Sequence, residues 1–194
     1  MKYATRIALG RALMVVIAAV VAVALPANVR VQQAEGVVQY RLPDAAQWQS
    51  LAPGQELPQG TTIISGSNGS AILASGDSTI EVDALSRIVL NEVMLNPGQE
   101  TTDVQMRFGQ VRSRVRRSQN RGTDFRVSTP VSTAAVRGTD FVYDGRELVV
   151  LEGDVAFTNL TGQHHSVRAG QTSRTWKHLG IESVERTVID RLSF

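Results

Sequence analysis

Between Val31 and about Val167 apolar and polar positions alternate in short runs, each broken by glycine, proline, asparagine or aspartate. A period of two sends successive side chains to opposite faces of a strand. Turn residues recurring every 8 to 12 positions or so suit an all-β sandwich or barrel. Gly54 and Pro58-Gln59-Gly60 precede a strand at Thr61 to Ser65, and Asn68-Gly69 and Gly76-Asp77 bracket one at Ser70 to Ala74. Asn96-Pro97-Gly98 divides a strand ending near Met94 from one over Asp103 to Arg117. Asp144-Gly145 predicts a two-residue type I′ hairpin between Phe141–Tyr143 and Glu147–Leu151, because both residues tolerate positive φ.

Within 103–117 the phase slips. Val104, Met106 and Phe108 alternate on even numbers, whereas Val111, Ser113 and Val115 continue on odd ones. A one-residue slip turns the core face outward, so Gly109 is expected at a bulge or corner. On the odd phase Arg112, Arg114 and Arg116 project together from the opposite face. That stripe reads either as a solvated outer face or as a docking surface for anionic groups, since guanidinium forks fit carboxylate and phosphate. After Gly170 the pattern changes. Ile181, Val184, Val188, Ile189 and Leu192 recur at helical spacing, which predicts a short amphipathic C-terminal helix serving as a lid or a docking element.

Composition narrows the chemistry. The 194 residues contain no Cys, which removes disulfides, thiolate metal sites and a cysteine nucleophile. Lys2, Arg6 and Arg11 precede an uncharged apolar run from Ala12 to Leu25, the layout of a secretory signal peptide ending near Ala24 or Ala27. Residues 1–27 are therefore expected to be removed on export to the periplasm or beyond, leaving a chain without membrane insertion. Removing three of the 20 basic residues leaves 17 against 18 acidic ones, so the mature chain is nearly neutral. The remaining asymmetry lies in residues 107–126, with seven arginines and Asp124 as the lone acid. Nucleic acid is not the expected partner of Arg112, Arg114 and Arg116, because the chain is expected to be exported and no aromatics interleave the three.

The stretch Phe125 to Asn159, FRVSTPVSTAAVRGTDFVYDGRELVVLEGDVAFTN, resembles the signature of the FecR-domain family: Thr-Pro, then Val-Arg-Gly-Thr-x-Phe, a hairpin, and a strand ending in Glu-Gly. Upstream, Leu51 to Gly54 with Leu57 to Ser65, and Phe108-Gly109-Gln110-Val111, are similar to the family's earlier strands, so the likeness runs from about Val31 to Gly170. The resemblance implies an extracytoplasmic, jelly-roll-like β-sandwich of short antiparallel strands over 28–170, followed by a 171–194 extension. It also implies a binding or signalling-adaptor role. In iron-uptake regulators of the family the domain relays a signal to a sigma factor, but the anti-sigma segment those proteins carry is not expected here, where only a few charged residues precede the apolar run.

The hallmark reads as architecture. Thr129-Pro130 ends a strand, since proline cannot donate to a ladder. Gly138 permits a bulge or close backbone approach, Thr139 belongs to the same turn into the strand, Phe141 enters the core, and Gly153 turns the chain out of its strand. Arg137 is expected to be partly buried against Glu152 or Asp140. The pentapeptide Arg-Gly-Thr-Asp-Phe occurs at 121–125 and again at 137–141, a repeated way of opening a strand.

No catalytic constellation emerges, and no cofactor or metal is expected. His164 and His165 are adjacent and point apart on a strand, His178 is distant, and no Gly-x-Ser-x-Gly elbow or Walker loop is present. The sequence therefore predicts a non-enzymatic envelope module that engages an envelope protein or a cell-wall component, with Arg112, Arg114 and Arg116 as the candidate surface. A lectin-like module stacking sugars on Trp48, Trp176 or Tyr143 is the alternative.

Overall fold

The structure is a computed structural model that describes residues 25–26, 28–96, 98–118, 120–175 and 181–185. The apolar run from Ala12 to Ala24, with the expected signal peptide, lies outside the described residues. The strands, in chain order, are β1 (Leu25–Pro26), β2 (Val29–Glu35), β3 (Val38–Arg41), β4 (Gln49–Ser50), β5 (Glu56–Leu57), β6 (Thr62–Ser65), β7 (Ser70–Ser75), β8 (Ser78–Val82), β9 (Arg87–Asn96) and β10 (Gln99–Phe108). They continue as β11 (Val111–Arg114), β12 (Gly122–Ser128), β13 (Ser132–Val136), β14 (Asp140–Tyr143), β15 (Glu147–Glu152), β16 (Asp154–Asn159), β17 (His164–Arg168), β18 (Gln171–Thr175) and β19 (Ile181–Glu185).

Two sheets result. One runs β17-β16-β13-β12-β10-β9-β6-β3-β4 with β1 on β9, and the other runs β19-β18-β15-β14-β11-β8-β7-β2-β5. Their inward faces share a single buried cluster, including Ile63, Leu90 and Phe157 from the first sheet and Leu73, Ile80 and Phe141 from the second. Alternation along β7 and β8, where every second residue is buried, supplies that face.

The two-sheet, all-β expectation holds, but the strand order is not that of a jelly roll. Apart from β1 on β9 and the β4 and β5 edges, order within each sheet follows order in the chain. The reason is short connections: the chain adds a hairpin to one sheet, crosses through a tight corner, and lands beside the last strand of the other. A Greek key needs a long return connection, and the turns here are too short to provide one. One pair departs from the antiparallel expectation, since β10 and β12 run parallel. The chain between them visits β11 in the opposite sheet and so re-enters in the same direction.

The helix expected after Gly170 is not found where residues are described. Gln171–Thr175 pairs with β15, and Ile181–Glu185 pairs with β18. The rest of the expected helix, 176–180 and 186–194, lies outside the described residues. Helical spacing of apolar residues lost to the open edge of β15, whose unpaired amides and carbonyls are satisfied by a further antiparallel hairpin.

Gly109 is the corner the phase slip pointed to. β10 belongs to the first sheet and β11 to the second, and Gly109 between them has φ 97°. Asp144 accepts from the backbone N–H of Arg146 and Glu147 at 2.8 and 2.6 Å, closing the β14–β15 hairpin. The turn differs from the type I′ expectation. Its central residues are Gly145 and Arg146, and of these Gly145 alone has positive φ.

Glu100, on β10, is buried, with Oε1 unpartnered among the described residues. Burial first, and then the neighbouring Asp77, push its pKa up, against a smaller opposing pull from Arg121. A carboxyl with a raised folded-state pKa penalises the fold where it is ionised, and the penalty fades as pH falls through that pKa. Glu100→Gln is accordingly expected to stabilise the protein by about 1 kcal/mol at neutral pH and by close to nothing near pH 4. Urea unfolding at the two pH values reads the difference.

Candidate functional site

The hallmark residues sit where the chain turns or changes sheets. Thr129 opens the β12–β13 turn: its N–H donates to Ser132 O at 2.8 Å, and its Oγ1 accepts from the backbone N–H of Ser132 at 3.1 Å. Pro130 follows, as expected for a strand end. The buried Tyr143 hydroxyl bonds Ser132 Oγ and lies 3.2 Å from Thr129 Oγ1. Its pKa is raised chiefly by burial.

Residues 137–139 carry the chain from β13 in one sheet to β14 in the other. Thr139 is buried. It exchanges backbone hydrogen bonds with Val115 at 2.8 and 3.0 Å, and its Oγ1 donates to Asp154 O at 3.0 Å. Gly138, at φ 145°, lies under the side chain of Arg117, whose Nε donates to Arg137 O at 3.1 Å. Gly153 turns the chain out of β15 and into β16, and a Cβ there would stand 2.6 Å from Gly138 O. Both copies of the repeated pentapeptide deliver a phenylalanine to the core: Phe125 from one sheet meets Phe141 from the other edge-on, with centroids 6.5 Å apart.

Arg137 overturns the expectation placed on it. It is exposed and its guanidinium has no hydrogen-bond or ion-pair partner among the described residues, while Glu152 is exposed as well. At the crossover its side chain leaves the sheet edge for solvent. Of the two carboxylates expected to hold it, Asp140 is already taken: it accepts from Arg112 at 3.2 and 2.9 Å and from Arg114 at 3.3 Å.

The arginine stripe therefore exists, but two of its members share one acid. Arg112 and Arg114 face Asp140 across the β11–β14 ladder, whereas Arg116 lies beyond the end of β11, exposed and without a partner among the described residues. The hydrogen bond from Arg112 to Asp140 holds the guanidinium more firmly protonated than usual. Asp140→Asn is expected to cost about 1 kcal/mol in urea unfolding, the modest value of a partly exposed ion pair, and less at 1 M salt.

The aromatics proposed to stack on sugar do not converge. Tyr143 is in the core, Trp48 lies beneath Arg41 with 5.1 Å from guanidinium to ring, and Trp176 lies outside the described residues. His164 is exposed, and His165 points inward to Ser173 Oγ at 3.1 Å and the edge of Phe157, its pKa lowered by burial. His178 lies outside the described residues.

A surface that the sequence reading missed lies at one end of the first sheet. Val37, Leu85, Phe108, Val131 and Leu160 are all large, apolar and exposed. Strand directions bring them together. Phe108 at the end of β10 is opposite Arg87 at the start of β9, Ser132 is opposite Asn159, and Val38 is opposite Ser65. Backbone bonds link neighbours: Leu160 N–H to Val131 O at 3.2 Å, Leu85 N–H to Gly66 O at 3.1 Å, and Gly66 N–H to Val37 O at 2.8 Å. Each residue adjoins or lies within a turn, where polar residues are the rule. An apolar residue in a turn was the available signal.

Comparison with known proteins follows the same outline. Residues 61–156 match the family model described as FecR protein. Two crystal structures from Parabacteroides distasonis, both described as a "putative anti-sigma factor", share the fold. One, at 1.65 Å resolution, gives a TM-score of 0.54 at 14% identity over 64% of this chain and 59% of that one. The other, at 2.50 Å, gives 0.52 at 13% identity over 63% and 57%. This chain thus spans less than two thirds of either structure. No curated protein matches the chain. The ordered hallmark, its placement at the sheet crossings and the family match agree, and residues 61–156 of the chain form a FecR domain.

Proposed function

We propose that this protein is a non-enzymatic binding or signalling-adaptor module of the bacterial cell envelope. It is exported by cleavage near Ala24 or Ala27 and acts in the periplasm or outside the cell by recognising a protein or cell-wall component. The observation that carries this reading is the employment of the hallmark. Thr129, Gly138, Thr139, Phe141 and Gly153 are turn, corner and core residues, so the motif builds a scaffold and leaves recognition to the outer surface. The structural relatives described as anti-sigma factors support a signalling context, while direct sigma-factor control is not part of the proposal.

Export is the testable root of this reading. Expressed with its first 27 residues in a Gram-negative host, the protein is expected in the osmotic-shock fraction, with a mature N-terminus between Leu25 and Asn28. Full-length protein confined to the cytoplasm would refute it. The cut also bears on structure, because β1, which pairs with Leu95 and Met94, survives cleavage after Ala24 and is lost by cleavage after Ala27.

A further inference from the structure

The apolar end of the first sheet has costs that nothing within the described chain repays. Phe108, Leu85 and Leu160 are 50%, 62% and 74% exposed. Leu85 is also the one described non-glycine residue with positive φ, at 55°. A leucine held in the left-handed region costs on the order of 1 kcal/mol, and most of this one's surface stays in solvent. From β16 to β3 the five apolar residues span seven adjacent strands, about 29 Å at the usual strand spacing. Such a ridge is long enough for an extended segment of eight or nine residues.

At the middle of the ridge the surface is concave. Phe108, Pro130 and Val131 line a groove together with Arg107 and Arg146. Both arginines are exposed, and neither guanidinium has a partner among the described residues. Asp144, the acid of the groove, already accepts two backbone amides. Arg87, opposite Phe108 across the ladder, adds a third cation whose Nε is unpartnered among the described residues. The local balance is therefore apolar and cationic, which disfavours a second copy of the same face and favours carboxylates.

We propose that this end of the sandwich docks an extended segment of a partner protein, with apolar side chains seated on Phe108, Val131 and Leu160 and carboxylates paired to Arg107 and Arg146. The proposal rests on the reading of the protein as a binding module, and it places recognition here and not on Arg112, Arg114 and Arg116, where Asp140 already occupies two of the three guanidiniums. Concavity favours a peptide over a lipid surface.

The test is photo-crosslinking in the native envelope, with benzoylphenylalanine at position 108, 131 or 160 and, for comparison, at 116. The expected result is a protein adduct from the first three positions, mapped by mass spectrometry to a segment that contains both apolar and acidic residues. A further expectation is that the adduct falls at least tenfold when Arg107→Glu and Arg146→Glu are combined. Circular dichroism melting of each variant keeps folding separate from docking, since all of these side chains are exposed. Adducts confined to position 116, adducts with lipid, adducts with a second copy, adducts with a basic segment, unchanged yield in the double variant, or no adduct at all would each overturn the proposal. Failure of export is read separately, by fractionation, and leaves the crosslinking outcome distinguishable.

Discussion

Gly109→Ala is expected to lower the unfolding free energy by more than about 3 kcal/mol, a fall of roughly 6–12 °C in melting temperature for a chain of this size. Two independent costs add. Gly109 adopts φ 97°, which an L side chain takes up at a penalty of about 1–2 kcal/mol. A Cβ would also overlap the Cα and Oγ of Ser86 and stand 2.5 Å from its Cβ. Ser86 cannot retreat, because it is fully buried and its Oγ accepts from Gln110 N–H at 3.0 Å and donates to Gln110 O at 3.2 Å. Gly54→Ala is the comparison: at φ 85° with open space around it, only the backbone penalty applies, about 1 kcal/mol. Equal losses in the two variants would show that the corner is not sterically closed.

Phe141→Ala should remove about 3–5 kcal/mol, the cost of truncating a fully buried phenylalanine and leaving a cavity. Its ring meets Phe125 edge-on across the two sheets, so a double-mutant cycle with Phe125→Ala is expected to show coupling of about 0.5–1.5 kcal/mol. Phe108→Ala, at a half-exposed ring on the proposed docking ridge, should stay within about 0.5 kcal/mol of the parent. Urea unfolding of the three variants separates the phenylalanine that builds the scaffold from the one left for recognition. A large loss on Phe108→Ala would place that ring in the core's service and weaken the docking proposal.

Much of the fold was legible because its signals are local. Period-two alternation, the turn residues at Asn68-Gly69 and Asp144-Gly145, and the phase slip at Gly109 each depend on a few neighbouring residues. The errors arose where a distant partner decided. Arg137 was expected on Glu152 or Asp140, yet ladder register places Arg112 and Arg114 on Asp140, and register across β11 and β14 joins residues 26 to 32 positions apart. The Ile181–Glu185 segment carried helical spacing, and the open edge of β18 made it a strand.

By itself, then, the amino-acid order determined that residues 31–167 are built of short strands, where many of their turns and the Gly109 corner fall, and which motif marks the domain, because these follow from side-chain period and local backbone preference. The tertiary structure alone decided the strand order, the parallel β10–β12 pair, the sharing of Asp140 by two arginines, and the gathering of Val37, Leu85, Phe108, Val131 and Leu160 at one end. Those outcomes rest on pairing between segments far apart in the chain, and no local pattern encodes which turns of two stacked sheets will stand side by side.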